Sequence, residues 1–393
     1  MTLNVLMLST LFPDVSRPNF GVFVERQARE LALRPQADVT VIAPIGIPPW
    51  PLSLAKPYRD LRYIPRVERW RDLTVHRPRF PLIPKIGGRL NVTAMTRAIW
   101  PLVRRLHRQR PFDVIDASFF YPDGPVAARL ARKLGIPFSV KARGADIHHW
   151  GRQPSTRRAV LNAGQAASGL LAVSQTMRRS MVALGMDEAR IRVHYTGVDL
   201  DRFQPGDSND AKASFGLSGP VVLSVGALIP RKGQALLIRA LKHLPGVTLM
   251  LVGHGPERRN YEQLAEAEGV SARVGFLGSV SHEALPRLFA AADVMALPSA
   301  SEGLANAWVE ALACGRPIVI SDVGGARELL DRPEAGTIVA REPEAIAEAI
   351  RDILASPPDP MAVRQTALRF TWSANGDALL AHLQGIAGKA GRS

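Results

Sequence analysis

The sequence has one cysteine, Cys314, in 393 residues. An internal disulfide framework and a cysteine-rich zinc site are both excluded, and a reducing compartment is expected. Long apolar runs are missing as well, since no stretch approaches the ~20 residues that span a bilayer. Met1 to Thr10 put no basic cluster ahead of their short apolar run, so no secretory leader is expected. His-Glu-x-x-His, a Cys/His cluster, a P-loop and Gly-x-Ser-x-Gly do not occur, which disfavours a metal centre and a serine nucleophile. There is no short-period repeat and no low-complexity tract.

Acidic residues are scarce in one half only. Residues 1–205 hold 32 Lys/Arg against 15 Asp/Glu, a net +17, whereas 206–393 hold 18 against 20. Residues 56–110 alone hold 15 basic and 3 acidic side chains, so the overall +15 belongs mainly to that segment. Its expected target is a polyanion or an anionic membrane surface. The length and a 46% apolar content allow two or three domains, each with its own core.

What is present is a repeated rhythm of aliphatic run, Gly/Ser/Pro turn and helical pattern. In the first half the runs are 4–10, 38–44, 113–118, 137–142, 169–174 and 191–195. In the second they are 220–226, 247–253, 273–278, 293–298, 317–322 and 336–340. Continuous apolar runs suit strands buried on both faces of a parallel sheet. Helical patterns between them, such as 24–33, 234–244, 283–291 and 344–355, predict βαβ units. The expected fold class is α/β, with two doubly wound Rossmann-like lobes facing across a cleft. The lobes are read as 1–205 and 206–369, with a last helix over 370–393, and the polar turn Asp207-Ser208-Asn209-Asp210 as linker. Residues 46–90 break the rhythm with eight prolines among arginines and aromatics, which predicts a functional or mobile insertion.

Three loops carry chemistry. Ser301-Glu302-Gly303-Leu304-Ala305-Asn306-Ala307-Trp308-Val309-Glu310 follows a buried run and opens a helix. Backbone N–H groups at such a helix start can take a phosphate, while two carboxylates accept from hydroxyls. A solvated loop glutamate plus an ordinary helix glutamate fits the spacing equally well. Val225-Gly226-Ala227-Leu228-Ile229-Pro230-Arg231-Lys232-Gly233 places two cations where a strand turns into a helix, an arrangement common on surfaces but suited to a departing phosphate. Ser139-Val140-Lys141-Ala142-Arg143-Gly144-Ala145-Asp146 follows a strand of the first half. The adjacent pair His148 and His149 is read as solvated. In the basic segment, Ile99, Leu102, Val103 and Leu106 share a helix face, with Trp100, Arg104, Arg105 and Arg108 beside it. That stretch either lies in a bilayer interface or turns its apolar face to the lobe's core.

The pattern Glu302-x7-Glu310, followed by Ala311-Leu312-Ala313-Cys314-Gly315-Arg316-Pro317-Ile318-Val319 and Gly324-Gly325, resembles the donor-site signature of family 4 retaining glycosyltransferases of the GT-B fold. Other stretches add to the resemblance: Gly253-His254-Gly255 (a glycine loop), Phe276-Leu277-Gly278 (a base-binding segment), 195–205 (a hinge) and Phe370-Thr371-Trp372 (the return crossing). Gly21-Val22-Phe23-Val24 is similar to the glycine loop of teichuronic-acid and exopolysaccharide transferases, although Gly21 also reads as a plain helix start.

The resemblance implies that Glu310 holds the ribose hydroxyls and Glu302 the donor sugar. The amides of Gly303, Leu304, Ala305 and Asn306 would lie against sugar and phosphate, with Gly21, Gly253, Gly255 and Gly278 lining the donor. Lys232 and Arg231 would meet the leaving phosphate; Ala227 stands where the family carries an arginine, and Arg231 is the candidate to replace it. Arg143 takes the place of a family histidine and, staying protonated, would meet phosphate or a hydroxyl rather than act as a base.

The implied activity is retaining transfer of a sugar from a nucleotide diphosphate donor to a lipid-linked or polysaccharide acceptor in cell-surface polysaccharide synthesis. The alternatives are a nucleotide-sugar epimerase of the same fold, or a non-catalytic sugar- or anion-binding protein. The nucleotide sugar is a substrate, so neither cofactor nor metal is expected. Expected partners are that donor, a polyprenyl-pyrophosphate-linked or glycan acceptor and an anionic membrane, but no nucleic acid. The expected location is cytoplasmic, peripheral on the inner face of the plasma membrane, with the basic first lobe facing the membrane.

Overall fold

The structure, a computed structural model, describes residues 2–56, 58–84 and 88–390. The chain forms two compact units, Met1–Gly197 with Trp372–Ser393, and Val198–Thr371.

In the first unit the apolar runs become β1 (Leu3–Leu8), β2 (Ala37–Ile42), β7 (Val114–Ala117), β8 (Phe138–Ala142), β9 (Gly169–Ala172) and β10 (Ile191–Val193). The proline-rich insertion supplies four more: β3 (Ile45–Ile47), β4 (Val67–Trp70), β5 (Leu73–His76) and β6 (Arg79–Pro81). The main sheet runs β10-β9-β8-β7-β1-β2-β5-β4, and β3 pairs with β6 apart from it. Among the described strands of this sheet, only the β4–β5 hairpin at its edge is antiparallel. Both faces are covered. On one, Val92, Met95, Ile99 and Val103 of the helix Gly88–Gln109 pack with Leu6, Leu8 and Val140. On the other, Val24 and Leu31 of the helix Val22–Ala32 meet Leu379 and Leu383 of the C-terminal helix Trp372–Ala390.

The second unit holds β11 (Val221–Val225), β12 (Thr248–Val252), β13 (Val274–Gly278), β14 (Val294–Leu297), β15 (Ile318–Ser321) and β16 (Gly336–Val339). Their order is β13-β12-β11-β14-β15-β16, with every pair parallel. The chain winds one way from β11 to β13 and the other way from β14 to β16. Between β11 and β14 the outgoing loops diverge, and doubly wound sheets open a crevice there.

Three expectations change. The first boundary lies at Gly197/Val198, not after 205, because residues 198–205 pack with the second unit. Val198 N–H donates to Phe370 O at 2.7 Å, Arg364 donates to Leu200 O at 2.8 Å, and Phe203 is fully buried. The insertion is not structureless: its Leu61 and Ile64 pack with Ile45 in a small separate core, and Pro57 and 85–87 lie outside the described residues. The bilayer reading of the 97–110 stripe fails: Ile99 and Val103 are fully buried, and Leu102, Leu106 and Trp100 pack on the same core. Trp100 also lies under Lys133, with the ammonium 5.0 Å from its ring. Arg104, Arg105 and Arg108 are exposed.

Candidate functional site

The loop after β11 ends in a turn, Pro230–Lys232, and the left-handed Gly233 (φ 79°), where a side chain would overlap Pro298 O. This close approach sets the β11 loop on the β14 loop. Ala300 N–H donates to Arg231 O at 2.7 Å, and Arg231 Nη1 donates to Ser301 O. The two loops then place Lys232 Nζ 2.6 Å from Glu302 Oε1, with Arg231 Nη1 3.6 Å from the same oxygen. Side chains 70 residues apart thus converge at the divergence point of the second sheet. Lys232 is 14% and Glu302 9% exposed, so the pair is partly shielded from water. Arg231 is exposed, as is Ala227.

The remaining donor candidates border this point. Gly303 and Leu304 are buried, and Ala305 caps the helix Asn306–Ala313 without a side-chain hydrogen bond. Gly325 N–H donates to Gly303 O at 2.7 Å, and Gly324 takes a left-handed conformation against that carbonyl. Gly253 (φ 142°) and Gly255 lie so close to the β11 loop that a Cβ would overlap Gly226 O and Leu228 O, respectively. Gly253 N–H donates to Gly278 O at 2.8 Å, tying the β12 and β13 loops together. Glu310 sits on the helix after β14 and meets His282 Nε2 at 2.9 Å. His282 carried no role in the sequence, because the contact joins a loop to a helix 28 residues further along the chain.

In the first unit Gly21 (φ 74°) caps the helix Val22–Ala32, and a Cβ there would lie 2.6 Å from the Leu11 carbonyl. The helix start and the close approach are therefore one feature. Arg143 follows β8 in a turn fixed by Asp146, whose carboxylate accepts from the N–H groups of Arg143, Gly144, Ile147 and Phe120. Its guanidinium donates to Ser118 O at 2.7 Å and Gln27 Oε1 at 3.1 Å, and stands 4.7 Å over the Phe23 ring. Burial lowers its pKa to about 10 against the pull of Asp116, Asp146 and Asp123, still cationic at neutral pH.

Behind it lies a network that sequence reading did not find. Lys141, fully buried in β8, donates to Gln27 Oε1 at 3.0 Å and to His194 Nδ1 at 2.8 Å. His194 Nε2 faces Asn375 O at 2.9 Å, so the proton sits on Nε2. Burial, reinforced by the neighbouring Arg143 cation, drives the Lys141 pKa well below its usual value. The available signal was a lysine in the middle of a run buried on both faces.

Both halves of the chain are similar to known proteins. The Glycosyltransferase Family 4 model matches residues 21–202, and the Glycosyl transferases group 1 model matches 207–370. TuaC of Bacillus subtilis (strain 168), named as a teichuronic acid biosynthesis glycosyltransferase, is 29% identical over 88% of each chain. D-inositol 3-phosphate glycosyltransferase of Mycobacterium tuberculosis (strain ATCC 25177 / H37Ra) is 38% identical over 55% of this chain and 48% of its own. Sucrose-phosphate synthase from Thermosynechococcus elongatus superposes with a TM-score of 0.75 at 23% identity, covering 99% of this chain and 98% of that one. Anabaena Alr3699/HepE in complex with UDP-glucose gives 0.67 at 22% identity over the whole of both chains. The solved structures establish the fold, the two models divide the lobes between them, and the chain belongs to the family 4 glycosyltransferases of the GT-B fold.

Proposed function

We propose that the chain transfers a sugar, with retention, from a nucleotide diphosphate donor on its second lobe to a lipid-linked or polysaccharide acceptor. The observation that carries this reading is the Lys232–Glu302 pair at 2.6 Å where the second sheet's loops diverge. A nucleotide sugar offers both partners a replacement: the diphosphate takes Lys232, and a sugar hydroxyl donates to Glu302. Glu310 then serves the ribose, the amides of Gly303 to Asn306 face sugar and phosphate, and Arg143 meets phosphate or hydroxyl. The bond from sugar C1 to the β-phosphate oxygen breaks with its electron pair on that oxygen. Lys232 and Arg231 neutralise the charge, which preorganised cations do without reorganisation cost. The phosphate oxygen takes the proton of the acceptor hydroxyl on the same face, and the acceptor oxygen bonds C1.

UDP and UDP-glucose complexes of HepE support a nucleotide-sugar donor, and the name of TuaC supports a cell-surface polysaccharide. The membrane-facing role of the first lobe rests on the exposed Arg104, Arg105 and Arg108 and on apolar side chains open to solvent in the insertion, Trp50 (78% exposed), Leu52 and Tyr63. No described helix is long and apolar enough to cross a membrane. Ala227 favours a second reading, a sugar-binding protein without turnover. Incubation with labelled UDP- and GDP-sugars and a polyprenyl-pyrophosphate-linked acceptor separates them. Transfer or hydrolysis supports the enzyme; binding without conversion supports the second reading, and an epimerised donor overturns both.

A further inference from the structure

His282 lies in the turn between β13 and the helix Leu285–Ala291. Its Nδ1 is 3.5 Å from Arg202 Nη1, and its Nε2 is 2.9 Å from Glu310 Oε1. A guanidinium can only donate, so Nδ1 accepts and Nε2 carries the proton. Nε2–H therefore donates to Glu310. Phe203, fully buried, meets the ring edge-on at 5.0 Å between centroids and itself abuts Phe289 at 6.2 Å. The bond engages Oε1 and leaves Oε2 on a carboxylate that is still 12% exposed. A glutamate held in this way has lost its rotamer freedom before any ligand arrives, which removes an ordering cost from binding.

We propose that His282 is a positioning residue for the nucleotide ribose: it fixes Glu310 so that the free oxygen meets the ribose hydroxyls, and thereby sets selectivity for ribonucleotides over 2′-deoxyribonucleotides. This rests on the reading of Glu310 as the ribose-binding acid. The test is isothermal titration of the full chain with UDP, GDP and ADP and their 2′-deoxy counterparts. For the diphosphate that binds best, the ribo form is expected to be favoured by roughly 10-fold, the worth of one charge-assisted hydrogen bond. His282→Leu brings that ratio close to one while 2′-deoxy binding stays within about 3-fold. His282→Gln, which keeps a donor nitrogen, retains most of the ratio.

A wild-type ratio in His282→Leu, with the ratio lost in Glu310→Gln, overturns the positioning role and leaves Glu310 its assignment. An unchanged ratio in both variants, or no binding of any diphosphate, overturns the ribose reading and this inference with it. Wild-type protein gives an independent readout should His282→Leu fail to fold. The His282 imidazole N–H proton resonance is expected to move on saturation with the ribonucleotide and not with its 2′-deoxy form, and equal movement with both overturns the proposal.

Discussion

At the residue scale, single atoms decide whether the loops can meet. Gly253 combines φ 142° with a close approach to Gly226 O, so Gly253→Ala adds both strain and overlap. A loss of at least about 2 kcal/mol is expected, read as a shift in the urea midpoint. A second residue-scale effect concerns pH. Asp123 is fully buried, accepts from Thr10 N–H at 3.0 Å, and is pushed by burial from 3.8 to about 7. The folded state therefore keeps this proton to higher pH than the unfolded chain does. Stability from this group is complete below the unfolded value and is lost as pH rises towards 7. Asp123→Asn keeps an acceptor oxygen and removes the ionisation. Its melting temperature should gain on wild type from about pH 4 to pH 7 and hold a constant lead above that. A lead that does not change with pH would contradict the burial argument.

The same scale shows what could be read from the chain. Lys232, Glu302 and Glu310 stand out through the resemblance to a family signature, since their spacing from a strand-to-helix turn fits solvated side chains equally well. His282, Gln27 and Lys141 do not, since their meaning lies in partners on distant elements, and a histidine after β13 or a glutamine in a helix reads as ordinary until the loops close.

At the scale of elements, all twelve apolar runs appear as strands. The central ones, such as β7, β8, β14 and β15, are buried on both faces, whereas the edge strands β10, β13 and β16 are only partly buried and still carry an apolar run. The strands of the insertion were not legible: they are three or four residues long, interrupted by prolines and placed at an edge or in a separate pair. The helix Gly88–Gln109 teaches a related lesson, since an amphipathic period cannot say whether its apolar face meets lipid or a core. The answer here is the core, and any membrane role falls to the opposite face. Replacing Arg104, Arg105 and Arg108 together with serine should weaken co-sedimentation with phosphatidylglycerol vesicles by roughly 100-fold, at about 1 kcal/mol each. The melting temperature should hold, because the three side chains are exposed. Unchanged sedimentation would remove these residues from any membrane contact.

At the scale of the whole molecule, the charge asymmetry and the two-unit division follow the chain's halves, with one exchange at each crossing. Residues 198–205 join the second unit through Phe203 and the Arg364 contacts, and Trp372–Ala390 joins the first through Leu379 and Leu383. A linker-like composition after Gly206 hid the first of these, since apolar contacts rather than polar turns determine where a unit ends. What the fold accomplishes is to carry Lys232 and Glu302 from separate βα loops to one point. The most direct test is steady-state turnover of Lys232→Ala with the nucleotide sugar that the wild type consumes, beside a thermal melt. The expected result is a fall in kcat of roughly 100-fold or more, the scale of losing one preorganised charge partner, with most of the folded stability kept. Wild-type turnover in that variant would contradict the assignment of the leaving phosphate to this pair.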